Sequence, residues 1–155
     1  MRAWKEPEAE VAPESGSRPS RLRQWPVQLH LLPVEAPFFE DSRLLIAADC
    51  VAHALAGFHE ELLAGHSLAI ACPKMDNTEP YIEKLTAIFQ RNTLREITVA
   101  IMEVPCCMGL LMLVRQALQR SGQDIPLHLK VVSIEGNLLD SGPKVDLLRR
   151  MAGVA

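Results

Sequence analysis

The 155-residue sequence has few aromatic side chains (5%, with a single tyrosine) and no surplus of positive charge; its formal net charge is -3 and its pI about 5.9. The missing basic surplus argues against a nucleic-acid footprint, which needs clustered Lys and Arg to neutralise phosphates. No apolar run reaches the roughly 18–20 residues that a membrane span requires. The N-terminus carries charges but lacks the apolar core of a secretory signal. These absences predict a cytoplasmic protein with neither a membrane nor a nucleic-acid partner. A G-x-G-x-x-G run after a strand and a Walker A run are also missing, and with them the usual fingerprints of dinucleotide and nucleotide binding. No Ser/His/Asp arrangement stands out, so bond-breaking catalysis is not indicated. Neither the paired C-x-x-C spacing of zinc modules nor the clustered cysteine run of ferredoxins occurs.

Four cysteines are nevertheless present. Without a secretory signal they read as free thiols or metal ligands in a reducing compartment, rather than as structural disulfides. Hydrophobic residues make up 48% of the chain and charged residues 23%, which suits one domain with a sizeable core.

The organising stretch is residues 97–118, ITVAIMEVPCCMGLLMLVRQAL. Ile97 to Val104 is a β-branched, mostly apolar run fit for a strand buried on both faces. Pro105 cannot donate a ladder hydrogen bond and ends it. From Cys107 onward apolar residues recur at helical spacing (Leu110, Leu111, Val114, Leu118), which predicts a helix over 107–120 stopped by Gly122. Cys106 and Cys107 thus fall at a strand-to-helix turn.

Two similar units precede it. Arg43 to Ala48 predicts a buried strand ending at Asp49-Cys50, followed by a helix over roughly Val51 to Leu63. Ser67 to Ala71 predicts a second, ending at Cys72-Pro73-Lys74, with a helix capped by Asp76, Asn77 or Thr78 and buried through Tyr81, Leu85, Ile88 and Phe89. Leu127 to Ile134 alternates and predicts an outer strand. Upstream, residues 1–23 read as a flexible tail rich in Glu, Pro, Ser and Arg. Gln28 to Leu31 could form an edge strand kept short by Pro26 and Pro33, with Trp25 as the packing anchor of this arm; Pro37, Phe38 and Phe39 predict an apolar turn. Residues 137–155 read as a C-terminal tail with a short helix over Val145 to Met151, leaving 24–136 as the domain.

Strands alternating with helices imply a single doubly wound, Rossmann-like α/β domain with a mainly parallel sheet of about four to five strands. In such sheets ligands gather at the carboxyl ends of the strands. Cys50, Cys72, Cys106 and Cys107 all fall at such ends, which makes them the candidate metal ligands. Four thiolates match the donor set of an iron–sulfur cluster, with zinc as the alternative. Adjacent cysteines diverge too much to serve one metal ion together, so a larger cluster suits them better, or one of the pair is structural. Lys74 and Gly109 are candidate cofactor-binding residues: the lysine could stabilise negative charge near Cys72, and the glycine lies in the turn after the cysteine pair. His53 and His59 could supply a nitrogen ligand, whereas His30, His66 and His128 read as exposed. Asp49, Asp76 and Glu103 lie near the same rim. Met102, Met108 and Met112 read as core filling.

In order along the chain, LRQWPVQL (22–29), APFF (36–39), LLIAADCV (44–51), FHEELL (58–63), CPKMDNTEPYIEKL (72–85), MEVPCCMGL (102–110) and SGQDIP (121–126) resemble the C-terminal α/β domain of bacterial iron–sulfur cluster-binding, ferredoxin-like proteins. Such proteins carry an N-terminal ferredoxin segment with two tetracysteine runs; the present sequence begins in what reads as the linker after it. The family's ADCVPFA-like word is ADCVAHA here, and its CCGG-like word is CCMG. The resemblance implies iron–sulfur or electron-transfer biology, with Cys50, Cys72, Cys106 and Cys107 matching the family's cysteine words.

The leading expectation is therefore an iron–sulfur (4Fe–4S) redox accessory protein exchanging electrons with a redox protein or ferredoxin-like subunit. One rival is a thiol redox protein using Cys106 or Cys107 against Cys50 or Cys72. Another is a zinc-stabilised docking domain for a separate ferredoxin-like subunit. A homodimer is left open.

Overall fold

The structure, a computed structural model, describes residues 19–139 together with 145, 146, 149, 150 and 153. Most of the expected N-terminal tail, and part of the expected helix over Val145 to Met151, lie outside the described residues. Val145 itself is helical and buried.

Strands β1 (Ser42–Ala48), β2 (His66–Ala71), β3 (Leu94–Met102) and β4 (Leu127–Val132) run parallel, and the short β5 (Leu138–Leu139) pairs antiparallel with β4. Their order across the sheet is β2-β1-β3-β4-β5. The central register is continuous: Ile46 lies beside Ala69 on one side and Val99 on the other. Residues 44–48 of β1 and 97–102 of β3 are buried throughout, as a sheet covered on both faces requires. The mainly parallel doubly wound α/β fold is thus as expected.

Helix α2 (Tyr81–Arg91) buries Tyr81, Leu85, Ile88 and Phe89, and it packs against α3 (Met108–Ser121). Each fully buried large apolar side chain of this kind contributes about 1.5–3 kcal/mol. Gly122 closes α3 in the left-handed conformation (φ 68°), where a Cβ is unwelcome.

Several local expectations need correction. The helix expected over Val51 to Leu63 is broken into α1 (Val51–Ala54) and a π-helical turn, His59–Leu63. Between them Leu55 is extended (φ -91°, ψ 106°) and Gly57 is a poor helix former; the break lets Leu55 and Phe58 both reach the core. Residue 104 is outside the third strand, which ends at Met102, and a 3-10 turn (Pro105–Cys107) precedes the helix. The fourth strand stops at Val132 because the chain turns back through Gly136 to make β5. Trp25 is 78% exposed and does not anchor the arm. Leu29 and Leu32 do so, together with one bridge, Gln28 to Ile70. Gln24 adds a second strap: its amide donates to Leu68 O (2.9 Å) and accepts from Leu68 N (2.9 Å) on the edge of β2. Met112 is exposed rather than core, unlike Met102. His66 is half-buried, not exposed.

Candidate thiol site at the strand ends

From β1 the chain proceeds to β2 on one side and later reaches β3 on the other. The switch point of the sheet therefore lies between the carboxyl ends of β1 and β3. Asp49-Cys50 leaves β1 there, and Glu103 to Cys107 leaves β3. An open cleft of about 450 Å³ lies at this point, lined by Cys50, His53, Ala54, Met102, Ile134 and Glu135. The cysteines come from three consecutive strand ends, which explains why no local spacing motif announces them.

All four cysteines are free thiols. Cys50 and Cys106 are exposed, Cys72 is half-buried and Cys107 is buried. Burial first, then the charges of Cys72, Asp49 and Cys106, push the Cys50 thiol above its ordinary range. Burial likewise pushes Cys107 up to about 11, against a hydrogen bond from the Met102 backbone, with Cys106 and Cys50 adding to the rise. The loops thus bring the thiols within electrostatic reach of one another. No cation is among the charges acting on Cys50 or Cys107. Among the described residues, no three His, Cys, Asp or Glu side chains converge closely enough to hold a single metal ion.

The Cys72 loop is held by Asp76. Its Oδ2 accepts from Cys72 N (2.8 Å) and from the Tyr81 hydroxyl (2.5 Å), while Cys72 O accepts from Asp76 N (2.9 Å). Tyr81 is fully buried, and burial with the Asp76 contact raises its phenol well above the usual range. Asp76 is therefore a loop clasp and not the cap of α2, whose N-cap is Pro80 with no side-chain bond. Gly109 lies against this loop: a Cβ added there would meet Pro73 Cβ at 3.3 Å. Its missing side chain lets the first turn of α3 approach the Cys72-Pro73 turn closely. Lys74 is exposed.

At the other margin, Glu103 Oε1 accepts from Ile134 N (3.0 Å), fastening the end of β3 to the turn before β5. His53 is exposed and acts by charge on Asp49. His59 lies elsewhere, its Nδ1 accepting from Arg21 N (3.1 Å). Sequence reasoning missed the Tyr81–Asp76–Cys72 clasp, because a helix-face tyrosine and a pre-helix aspartate have stronger local explanations.

A family profile described as a Rossmann-like domain matches residues 36–152. The chain is also 26% identical to an uncharacterized protein of Archaeoglobus fulgidus over 125 residues, which cover 81% of this chain and 88% of the archaeal one. No solved structure matches. The profile supports the fold part of the sequence reading; neither match indicates an iron–sulfur family. No helix among the described residues is long and apolar enough to cross a membrane.

Proposed function

Since the chain belongs to the Rossmann-like domain family, whose sheets expose their carboxyl rim to ligands, we propose that it binds an iron–sulfur cluster at that rim and exchanges electrons with a redox partner. The observation that carries this reading is electrostatic. Burial first, and then the charges of Cys72, Asp49 and Cys106, raise the Cys50 thiol, and the charges of Cys106 and Cys50 add to the rise that burial gives Cys107. Such a donor set is completed by a bound cation, which inverts the local charge balance and deprotonates coordinating thiols.

The donor chemistry fits a cluster better than a lone ion. Thiolates are soft ligands suited to iron–sulfur centres or zinc. A single zinc needs four donors within about 2.3 Å of one point, and among the described residues no three side chains converge in that way. A cluster presents several iron atoms and tolerates donors spread over separate loops. Cys50, Cys72 and Cys106 are the accessible thiols to hold it. The bound cluster would supply one-electron transfer. The protein's own part is positional: the turn Pro105–Cys107 presents Cys106, the Asp76 clasp fixes the Cys72 loop, and Gly109 lets that loop seat on α3. The partner is a redox protein, a ferredoxin-like subunit being one such protein.

One observation favours a thiol-redox alternative: the exposed Cys106 thiol directly adjoins Cys107 in the 3-10 turn. The raised Cys50 and Cys107 values speak against it, because redox-active cysteines are ordinarily depressed by a nearby positive charge.

Iron and acid-labile sulfide content, with an absorption spectrum, on protein purified without oxygen tests the proposal. Comparable iron and sulfide with a broad visible band supports it. Zinc without sulfide supports the structural-zinc alternative, and no metal after attempted reconstitution overturns both.

A further inference from the structure

Away from the thiols, a cleft of about 360 Å³ opens on one face of the sheet, and no cysteine lines it. Its floor follows from strand alternation. Glu96 and Thr98 are two apart on β3 and so share a face. Thr98 lies beside His128 of β4, and Lys130 follows two residues on. The π-helical turn supplies Glu61 and Leu62 to one wall, and Arg149 reaches in from the C-terminal segment.

Two groups there lack the partners that their chemistry asks for. Thr98 is 8% exposed in a strand otherwise buried through apolar side chains, yet its hydroxyl makes no hydrogen bond among the described residues. Valine would fill the same space without that demand. Arg149 Nε is buried and has no hydrogen-bond partner. Buried polar groups are nearly always partnered, so each exception calls for an explanation, a bound group among them.

The charges of the cleft point the same way. Among the described residues, neither Arg149 nor Lys130 is joined to a carboxylate. Both carboxylates at the cleft are engaged elsewhere. Glu96 is ringed by Arg43 Nε (3.5 Å), His128 Nε2 (3.7 Å) and His66 Nε2 (3.9 Å). Glu61 folds back over Gly57.

We propose that this cleft binds a small molecule through an oxyanion, a carboxylate or a phosphate. Arg149 and Lys130 supply the charge, and the Thr98 hydroxyl donates a hydrogen bond from the floor. The guanidinium's planar fork of donors matches two oxygens of either group. A few convergent polar groups beside the apolar Leu62 and Leu129 suit a small ligand. The site shares no residue with the cluster reading and stands or falls apart from it.

Thermal melting and isothermal titration of the full chain test the proposal, with inorganic phosphate and acetate as probes, each against chloride at equal ionic strength. Wild type is expected to bind at least one probe saturably and to melt higher in its presence. Phosphate alone assigns the cleft to a phosphorylated compound, acetate alone to a carboxylate, and both together to the oxyanion that they share. Arg149→Met is expected to weaken binding at least about tenfold, and Thr98→Val at least about threefold. Thr98→Val should melt no lower than wild type, because it removes an unpartnered hydroxyl and keeps the packing. It keeps the test decisive should Arg149→Met fold poorly. Saturable binding of neither probe, or wild-type affinity in Thr98→Val or in folded Arg149→Met, overturns the proposal.

Discussion

At the scale of single residues, the thiols differ in ways that chemistry can read. Cys50 and Cys106 are exposed, whereas Cys107 is buried with its thiol pushed up to about 11. Only the thiolate is nucleophilic, and its fraction falls tenfold for each pH unit below the pKa. In metal-free protein at pH 8, iodoacetamide should label Cys50 and Cys106 first and leave Cys107 unmodified until the chain unfolds, as peptide mass spectrometry would show. Tyr81 offers a second handle. Its hydroxyl donates to a carboxylate, and hydrogen bonds to charged groups contribute about 1.5–3 kcal/mol. Tyr81→Phe should therefore lower stability by about 1.5 kcal/mol in urea denaturation. The raised phenol value sets the sign of its pH dependence. The contribution is complete below about pH 10 and lost above it, where the unfolded chain's phenol ionises first. Wild type should lose stability as the pH passes 10, and Tyr81→Phe should lose less.

Elements depend on places where backbone meets backbone. Gly136 has φ 87°, and a Cβ there would lie 2.5 Å from Ala54 O, an atom with little freedom to retreat. Gly136→Ala should cost more than about 1 kcal/mol and loosen β5 first, visible as faster amide exchange at Leu138 and Leu139. Gln24→Ala removes the amide strap from Leu68 and opens the edge of β2. A lower melting temperature and concentration-dependent association, followed by light scattering, are the expected results. The sequence made the four parallel strands legible, because three of them are nearly continuous apolar runs that close at cysteine or proline, and the alternation of Leu127 to Ile134 marks the fourth. It misplaced what depends on distant partners. The helix break at Leu55 answers to the core and not to local periodicity. Trp25 looked like an anchor by composition, yet the strap is the neighbouring Gln24, whose amide has no apolar signature. Asp76 had a local explanation as a cap that concealed its bonds to Cys72 and Tyr81. The four thiol positions were readable as strand ends, but their differing exposure was not, since burial of Cys107 is set by how the 3-10 turn seats on β3.

For the whole molecule, the β2-β1-β3-β4-β5 order has a consequence in time. Synthesis delivers Cys50 and Cys72 well before Cys106, and β1 cannot become a central strand until Leu94–Met102 has arrived beside it. A nascent chain that stops short of β3 has two of its rim thiols and one open flank of β1. The rim that carries all four thiols therefore exists only after Cys107 of the 155 residues has been made, with β4 and β5 still to come.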